Sequence, residues 1–184
     1  MSQTSLYFAK LKSVIDAIDA PAFDRGIAMI REAWEAGRQI IVFGNGGSAH
    51  TASHFITDMN KMTFLRTGRP FRGLCLNDNI GLITAYANDI SYSEIFVQQL
   101  KSVLQAGDLV LAISGSGNSP NIVRAVEHAN AAGAVTLGLC GYDGGKLKRL
   151  AHHSAHVPID DMQISEDLHL VFVHATLRSL TAPL

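Results

Sequence analysis

Five short apolar runs set the frame for this chain. "QIIVFG", "FRGLCLND", "DLVLAIS", "AVTLGLC" and "SAHVPI" are each bounded by Gly, Asp, Asn or Ser and separated by longer stretches of helical period. Such alternation is the pattern of βα units in a parallel sheet. A run such as "LVLAIS" is apolar at nearly every position, as a strand covered by helices on both faces must be. The fold class is therefore α/β, a five-stranded parallel sheet flanked by helices. Two helices precede the first strand, from Leu6 to Ile18 and from Phe23 to Ala36. The 184 residues form one domain, with residues 1–37 as a helical extension and 38–184 as the α/β core. The extension either covers the sheet or packs in an oligomer. The last helix, Gln163 to Leu180, has apolar residues around more than one face and no breaker before Pro183, which suggests burial in a larger assembly.

Composition excludes several function classes. Fifteen Lys and Arg against sixteen Asp and Glu give a net charge of −1, which does not supply the basic surface that nucleic-acid binding needs. No stretch is long and apolar enough for a membrane span or a signal peptide, so a cytoplasmic protein acting on a small ligand is expected. Cys75 and Cys140 sit inside apolar runs and read as buried small side chains in a reducing compartment.

Two strand ends make the same move. "IIVFGNGGSAHTASHF" and "LVLAISGSGNSPNIVRAV" each pass from strand through small flexible residues into a helix. Glycine lets the backbone approach a ligand, and the free amides of the next helical turn favour anions. In the second loop Ser114, Ser116 and Ser119 add hydroxyls, with Ser119 at the N-cap and Pro120 at the first helical position. Gly46, Gly47 and Ser48 supply the first loop. Neither loop is a Walker A or a dinucleotide fingerprint, so a phosphate monoester is favoured over a nucleotide. Ligands of α/β sheets gather where such loops meet at adjacent carboxyl ends.

Other residues carry ionisable chemistry. His50, His54 and Asp58 recur every four residues on one helix face, a spacing that suits either metal chelation or a solvated polar stripe. In "EDLHLVFVH" the last helix presents Glu166, Asp167, His169 and His174. Glu166 and His174 lie about 12 Å apart along a helix axis, so Glu166 with His169 is the easier pair. His152, His153 and His156 are expected in a surface turn before the last strand, and His128 is assigned no role.

With "GNGGS", "ISGSGNS", "GYDGGKL" and "EDLHLVFVH" in place, the chain resembles the sugar isomerase (SIS) domain superfamily, and within it the bacterial phosphoheptose isomerases. The resemblance runs from the N-terminal helices to the last helix. It implies a flavodoxin-like three-layer fold and interconversion of sedoheptulose 7-phosphate with D-glycero-D-manno-heptose 7-phosphate. It further implies a cytoplasmic homotetramer with sites between subunits and a divalent metal, zinc. Asn45, Gly46 and Gly47 match the first substrate loop, Asn77 and Asp78 a second contact, and Ser114, Gly115, Ser116 and Ser119 the phosphate loop. His54, Asp58, Glu166 and His174 match the metal ligands, with Asp58, Glu166 and His174 as the catalytic groups. Asp58 stands where the family has glutamate and Glu166 where it has glutamine. Two other functions stay open: a non-catalytic SIS protein binding a phosphosugar or a replication initiator, and an isomerase of another sugar phosphate.

Overall fold

The computed structural model describes residues 1–182; Pro183, the sequence's stop for the last helix, lies outside the described residues. The first helix, α1, spans Gln3–Ala17 and is capped by Ser2, whose hydroxyl accepts from the Ser5 N–H. α2 spans Ala20–Glu35 and is capped by Asp19. Both begin three residues before their first apolar period residue, because a polar cap and not the apolar stripe starts a helix.

The chain then alternates. β1 (Ile40–Gly44) leads into α3 (Gly47–Asp58), which continues through a π-helical turn at Met59–Thr63 into α4 (Phe64–Thr67). β2 (Gly73–Cys75), α5 (Ile80–Asp89), a 3₁₀ turn (Tyr92–Glu94) and α6 (Val97–Val103) follow. β3 (Leu109–Ser114), α7 (Pro120–Ala131), β4 (Val135–Cys140), α8 (Gly145–Leu150), β5 (His153–His156) and α9 (Met162–Thr181) complete it. The strands order β2-β1-β3-β4-β5 with every pairing parallel. Chain direction across the sheet reverses between β1 and β3, so their following loops diverge and leave a crevice.

Side chains of successive strand residues go to opposite faces. Ile40, Val42, Leu111 and Leu139 pack with Ile30, Phe55 and Phe172 beneath α2, α3 and α9, while Ile41, Phe43 and Val110 pack with Phe96, Val126 and Leu147 on the other side. This is the three-layer arrangement expected. α1 stands apart. Val14 is its one buried residue, and it is held to α9 by Tyr7 donating to Asp167 and by Lys10 on Asp161 at 2.7 Å. Leu6, Phe8 and Ile15 of α1 remain exposed.

The histidine run is corrected by the structure. His153 and His156 belong to β5 itself, and each ring meets the backbone of another segment: His153 at Ala22 O (2.7 Å) and His156 at Tyr142 O (2.9 Å). His152 bonds to Thr136. These rings fasten an edge strand, because a strand of four residues with polar side chains has little apolar surface to hold it. Cys75 and Cys140 are buried and free, and burial pushes both thiols up to about 12.

Candidate functional site

The crevice between β1 and β3 holds a cavity of about 220 Å³ lined by both loops: Asn45, Gly46, Gly47 and Ser48 from one, Ser114, Gly115, Ser116 and Ser119 from the other. Met162 and Glu166 of α9 close it. The twelve-residue helices α3 and α7 both begin here; the Gly47 and Ser48 amides of α3 are free to face a ligand, while α7 starts with Pro120 and with Ile122 and Val123 already donating to Ser119 O. Ser119 is the N-cap of α7, yet its hydroxyl makes no capping bond, which leaves it for a ligand. Ser114 and Ser116 accept backbone N–H groups at Gly117 and Asn118, and both hydroxyl hydrogens stay available to donate.

Glycine is required at two points. An added Cβ at Gly47 would fall on the Glu166 carboxylate, so the acid can reach the cavity floor only over a bare backbone. Gly117, at φ +64, faces the Gly144 carbonyl with no room for a methyl group. The "GYDGGKL" segment thereby buttresses the serine loop. Gly141 N–H donates to Gly115 O (2.8 Å), Leu147 N–H to Gly117 O (2.9 Å) and Lys146 N–H to Asn118 Oδ1 (3.1 Å).

A second cavity, about 460 Å³, adjoins the first and shares Asn45 and Gly46 with it. His50, Ser53, Asn77, Asp78 and Tyr92 line it against Ile80, Ile83 and Ile95. Asn77 reaches this wall with its carboxamide already engaged, accepting from Gly44 N–H (3.1 Å) and donating to Gly44 O (2.9 Å).

Of the expected metal ligands, three converge. His54, Asp58 and His174 offer ligand atoms all within 4.8 Å of one another. His54 Nε2 stands 3.2 Å from Asp58 Oδ2 and 3.4 Å from His174 Nε2. Two imidazoles and one carboxylate are a donor set that suits zinc and leaves an open position. His54 and Asp58 are joined by a third potential donor from α9, His174. His50 parts from them and faces the second cavity. Glu166 does not join the triad within one chain: it stands two turns earlier on α9, beside Gly47. The eight-residue rise of α9 keeps Glu166 and His174 apart within one chain, as the axial separation of about 12 Å implies.

Residues 6–141 match the SIS domain family. The chain belongs to the SIS-domain family. It is 37% identical over 150 residues to a probable phosphoheptose isomerase of Thermoplasma acidophilum, covering 81% of this chain and 82% of that one. A phosphoheptose isomerase structure from Francisella tularensis superposes with a TM-score of 0.87 at 26% identity, covering 100% of both chains. One from Neisseria gonorrhoeae reaches a TM-score of 0.90 at 24% identity over 98% of both, a likeness of fold.

Around this SIS site lie groups that pattern alone did not mark. Asn121, 1% exposed, exchanges two amide bonds with Asn45, each 2.9 Å, and the Tyr92 hydroxyl donates to Asn45 Oδ1 at 3.1 Å. The one trace in the sequence was an Asn placed inside the apolar period of "NIVRAV". Glu94, next in the same 3₁₀ turn, is buried; the Gln98 amide and the Arg124 guanidinium hold its carboxyl below the usual range against the opposing effect of burial. His169 is fully buried on α9, and neither ring nitrogen has a partner within hydrogen-bonding geometry. Burial, with His156 adding and the Cys140 backbone opposing, pushes its imidazole down to about 4.

Proposed function

We propose that this SIS protein is an aldose–ketose isomerase of a phosphorylated heptose, interconverting sedoheptulose 7-phosphate and D-glycero-D-manno-heptose 7-phosphate. Relatives named phosphoheptose isomerase over most of the chain support the activity. The observation that carries it to particular residues is the hydroxyl- and amide-lined cavity with one carboxylate at its wall. Ser114, Ser116 and Ser119 donate to the phosphate oxygens, joined by the amides at Gly47 and Ser48. Asn77, Asp78 and His50 meet sugar hydroxyls in the second cavity.

Chain length fits the second end of the site. An extended seven-carbon chain spans roughly 10 Å from phosphorus to C1 at ordinary bond lengths. The two turns of α9 from Glu166 to His174 rise about 12 Å. In the ketose-to-aldose direction a carboxylate removes the C1 proton and returns it to C2, while an imidazole moves the proton between O2 and O1. Asp58 and Glu166 are the carboxylates available, and His174 is the imidazole. His54, Asp58 and His174 would hold a divalent ion, zinc by donor type, whose chemistry is to stabilise negative charge on the two oxygens. Glu166 is assigned to the substrate, since it stands apart from that triad.

The triad lines neither cavity, and its histidines are about half exposed. That supports a homotetramer with sites closed between subunits. Leu6, Phe8 and Ile15 of α1, Ile80, Leu82 and Ile90 around α5, and Val171 of α9 are exposed apolar groups available for such contacts. Within the extension 1–37, α1 is accordingly read as the part that packs in the oligomer, while α2 covers the sheet. No helix among the described residues is long and apolar enough to cross a membrane, in keeping with action in the cytoplasm on a soluble substrate. A purely partner-binding role gives no reason for the histidines and aspartate to converge. The test is direct: purified protein, with and without chelator, is given sedoheptulose 7-phosphate and the aldose product is measured. Metal-dependent, reversible formation is expected; none on any heptose phosphate overturns the assignment.

A further inference from the structure

Asn45 and Gly46 are the residues shared by the two cavities, so whatever fixes them sets how a ligand's phosphate and hydroxyl ends are held relative to each other. Gly46 has φ 55 and ψ −122, a mirror-extended conformation that glycine enters freely, so the course of the chain there is set by what fixes its neighbours. Two carboxamides fix them, one on each preceding residue. Asn77 grips the Gly44 backbone on both sides, and Asn121 grips the Asn45 side chain with two bonds.

The second grip is itself anchored. Asn121 is buried in the first turn of α7, and its Oδ1 also accepts the Ile122 N–H at 3.0 Å. That fixes which end of the amide is oxygen, and so fixes the orientation of Asn45. Tyr92 supplies the remaining bond, to Asn45 Oδ1, from the 3₁₀ turn after α5. The ion pair of Glu94 with Arg124 ties that same turn to α7. Tyr92 and Asn121 thus reach Asn45 from two elements that are bound to each other.

We propose that Asn121 and Tyr92 are positioning residues that lock Asn45 and Gly46, so that phosphate held by the serine loop and hydroxyls in the adjoining cavity are recognised as one ligand. Neither reacts with the sugar. They preorganise the edge common to both halves, and the gain appears only for a ligand that occupies both. The serine loop has a separate hold on its opposite side, the Gly141–Leu147 segment.

The inference rests on the heptose phosphate reading, and the two are separable by using two ligands on the intact protein. Affinity is measured by calorimetry for sedoheptulose 7-phosphate and for inorganic phosphate, with KM and kcat where turnover is seen. In Asn121→Ala the sugar phosphate should bind about tenfold more weakly, in line with a net amide bond or two, and KM should rise with it. Inorganic phosphate should change by less than about threefold. Tyr92→Phe removes one hydroxyl from an exposed side chain, carries no folding risk, and should show the same selectivity at about threefold. With Asn45→Ala as background, Asn121→Ala should add almost nothing, since the contact is already gone. Equal losses for both ligands, additive effects in the double variant, or unchanged sugar-phosphate affinity in both variants would each overturn the proposal. A wild type that binds phosphate but no heptose phosphate would instead remove the functional reading beneath it.

Discussion

The serine-loop cavity and the His–Asp triad are built by opposite means. Around the cavity the loops are braced by hydrogen bonds within the chain. Gly44 is clamped by Asn77, Asn45 by Asn121 and Tyr92, and the serine loop by the Gly141–Leu147 segment. The triad rests on side chains of two parallel-running helices, with His54 and His174 about half exposed and no second layer fixing their rings. One half of the site is braced within a single chain, and the other lies open on its surface. Binding and chemistry should therefore fail independently.

His174→Ala breaks the open half. It removes one of three ligands and the group assigned to the oxygen proton. A loss in kcat on the order of 1,000-fold is expected, within the range for a positioned acid–base group. Bound metal per chain should drop with it. Calorimetry with inorganic phosphate should give an unchanged affinity, because no triad residue lines the serine-loop cavity.

Gly117→Ala breaks the closed half. A methyl group there meets the Gly144 carbonyl at a positive φ, so the loop must move away from its buttress. Displacing the phosphate by about 1 Å costs on the order of 100-fold in kcat/KM. Metal content should stay at the wild-type level. Loss of metal in this variant would mean the two halves are not independent.

His169 sharpens the comparison because it lies on α9 between Glu166 and His174 yet belongs to neither half. Its folded-state value of about 4 lies below the ordinary 6.5, so between those values the unfolded chain binds a proton that the folded chain refuses. Stability is full above pH 6.5 and declines as pH falls toward 4, by about 2 kcal/mol at pH 5. The low-lying carboxyls of Glu94 and Asp161 lose their contribution mainly as pH falls below their ordinary values of 4.5 and 3.8, so they add little between pH 7 and pH 5. Urea unfolding at pH 7 and pH 5 checks the slope. In His169→Leu it should flatten.

The same contrast governs what the chain's letters revealed. Short continuous apolar runs alternating with stretches of period 3.6 were enough for the parallel α/β fold, because covering both faces of a sheet demands such runs. The glycine and serine loops were legible since turn chemistry is local. Glu166 was not: its place beside Gly47 depends on how far α9 has risen when it crosses α3. His153 and His156 were assigned to a turn at the approach to the "SAHVPI" strand because polar letters blur where an edge strand starts, which is set by its partner and not by its own apolarity. Asn121 was invisible for the complementary reason, a polar side chain inside an apolar period whose partner lies 76 residues away.

The cleanest test of the closed half is a single hydroxyl. Ser119 stands at the N-cap of α7, where a serine ordinarily accepts a backbone N–H and its loss costs about 1 kcal/mol of stability. Here no such bond is made, and the helix start is secured by Pro120 and by Ile122 and Val123 donating to the Ser119 carbonyl. Ser119→Ala should therefore leave the melting temperature within about 1 °C, well inside the several degrees that 1 kcal/mol would move. The hydroxyl is free to donate to a phosphate oxygen, and a bond to a charged acceptor is worth about 1.5 kcal/mol or more, so KM should rise roughly tenfold with kcat little changed. Inorganic phosphate should weaken in parallel, unlike in the Asn121 variant, since this contact belongs to the phosphate end alone. A drop in melting temperature with KM unmoved would assign Ser119 to the helix instead, and the closed half of the site would then have one fewer donor than its geometry offers.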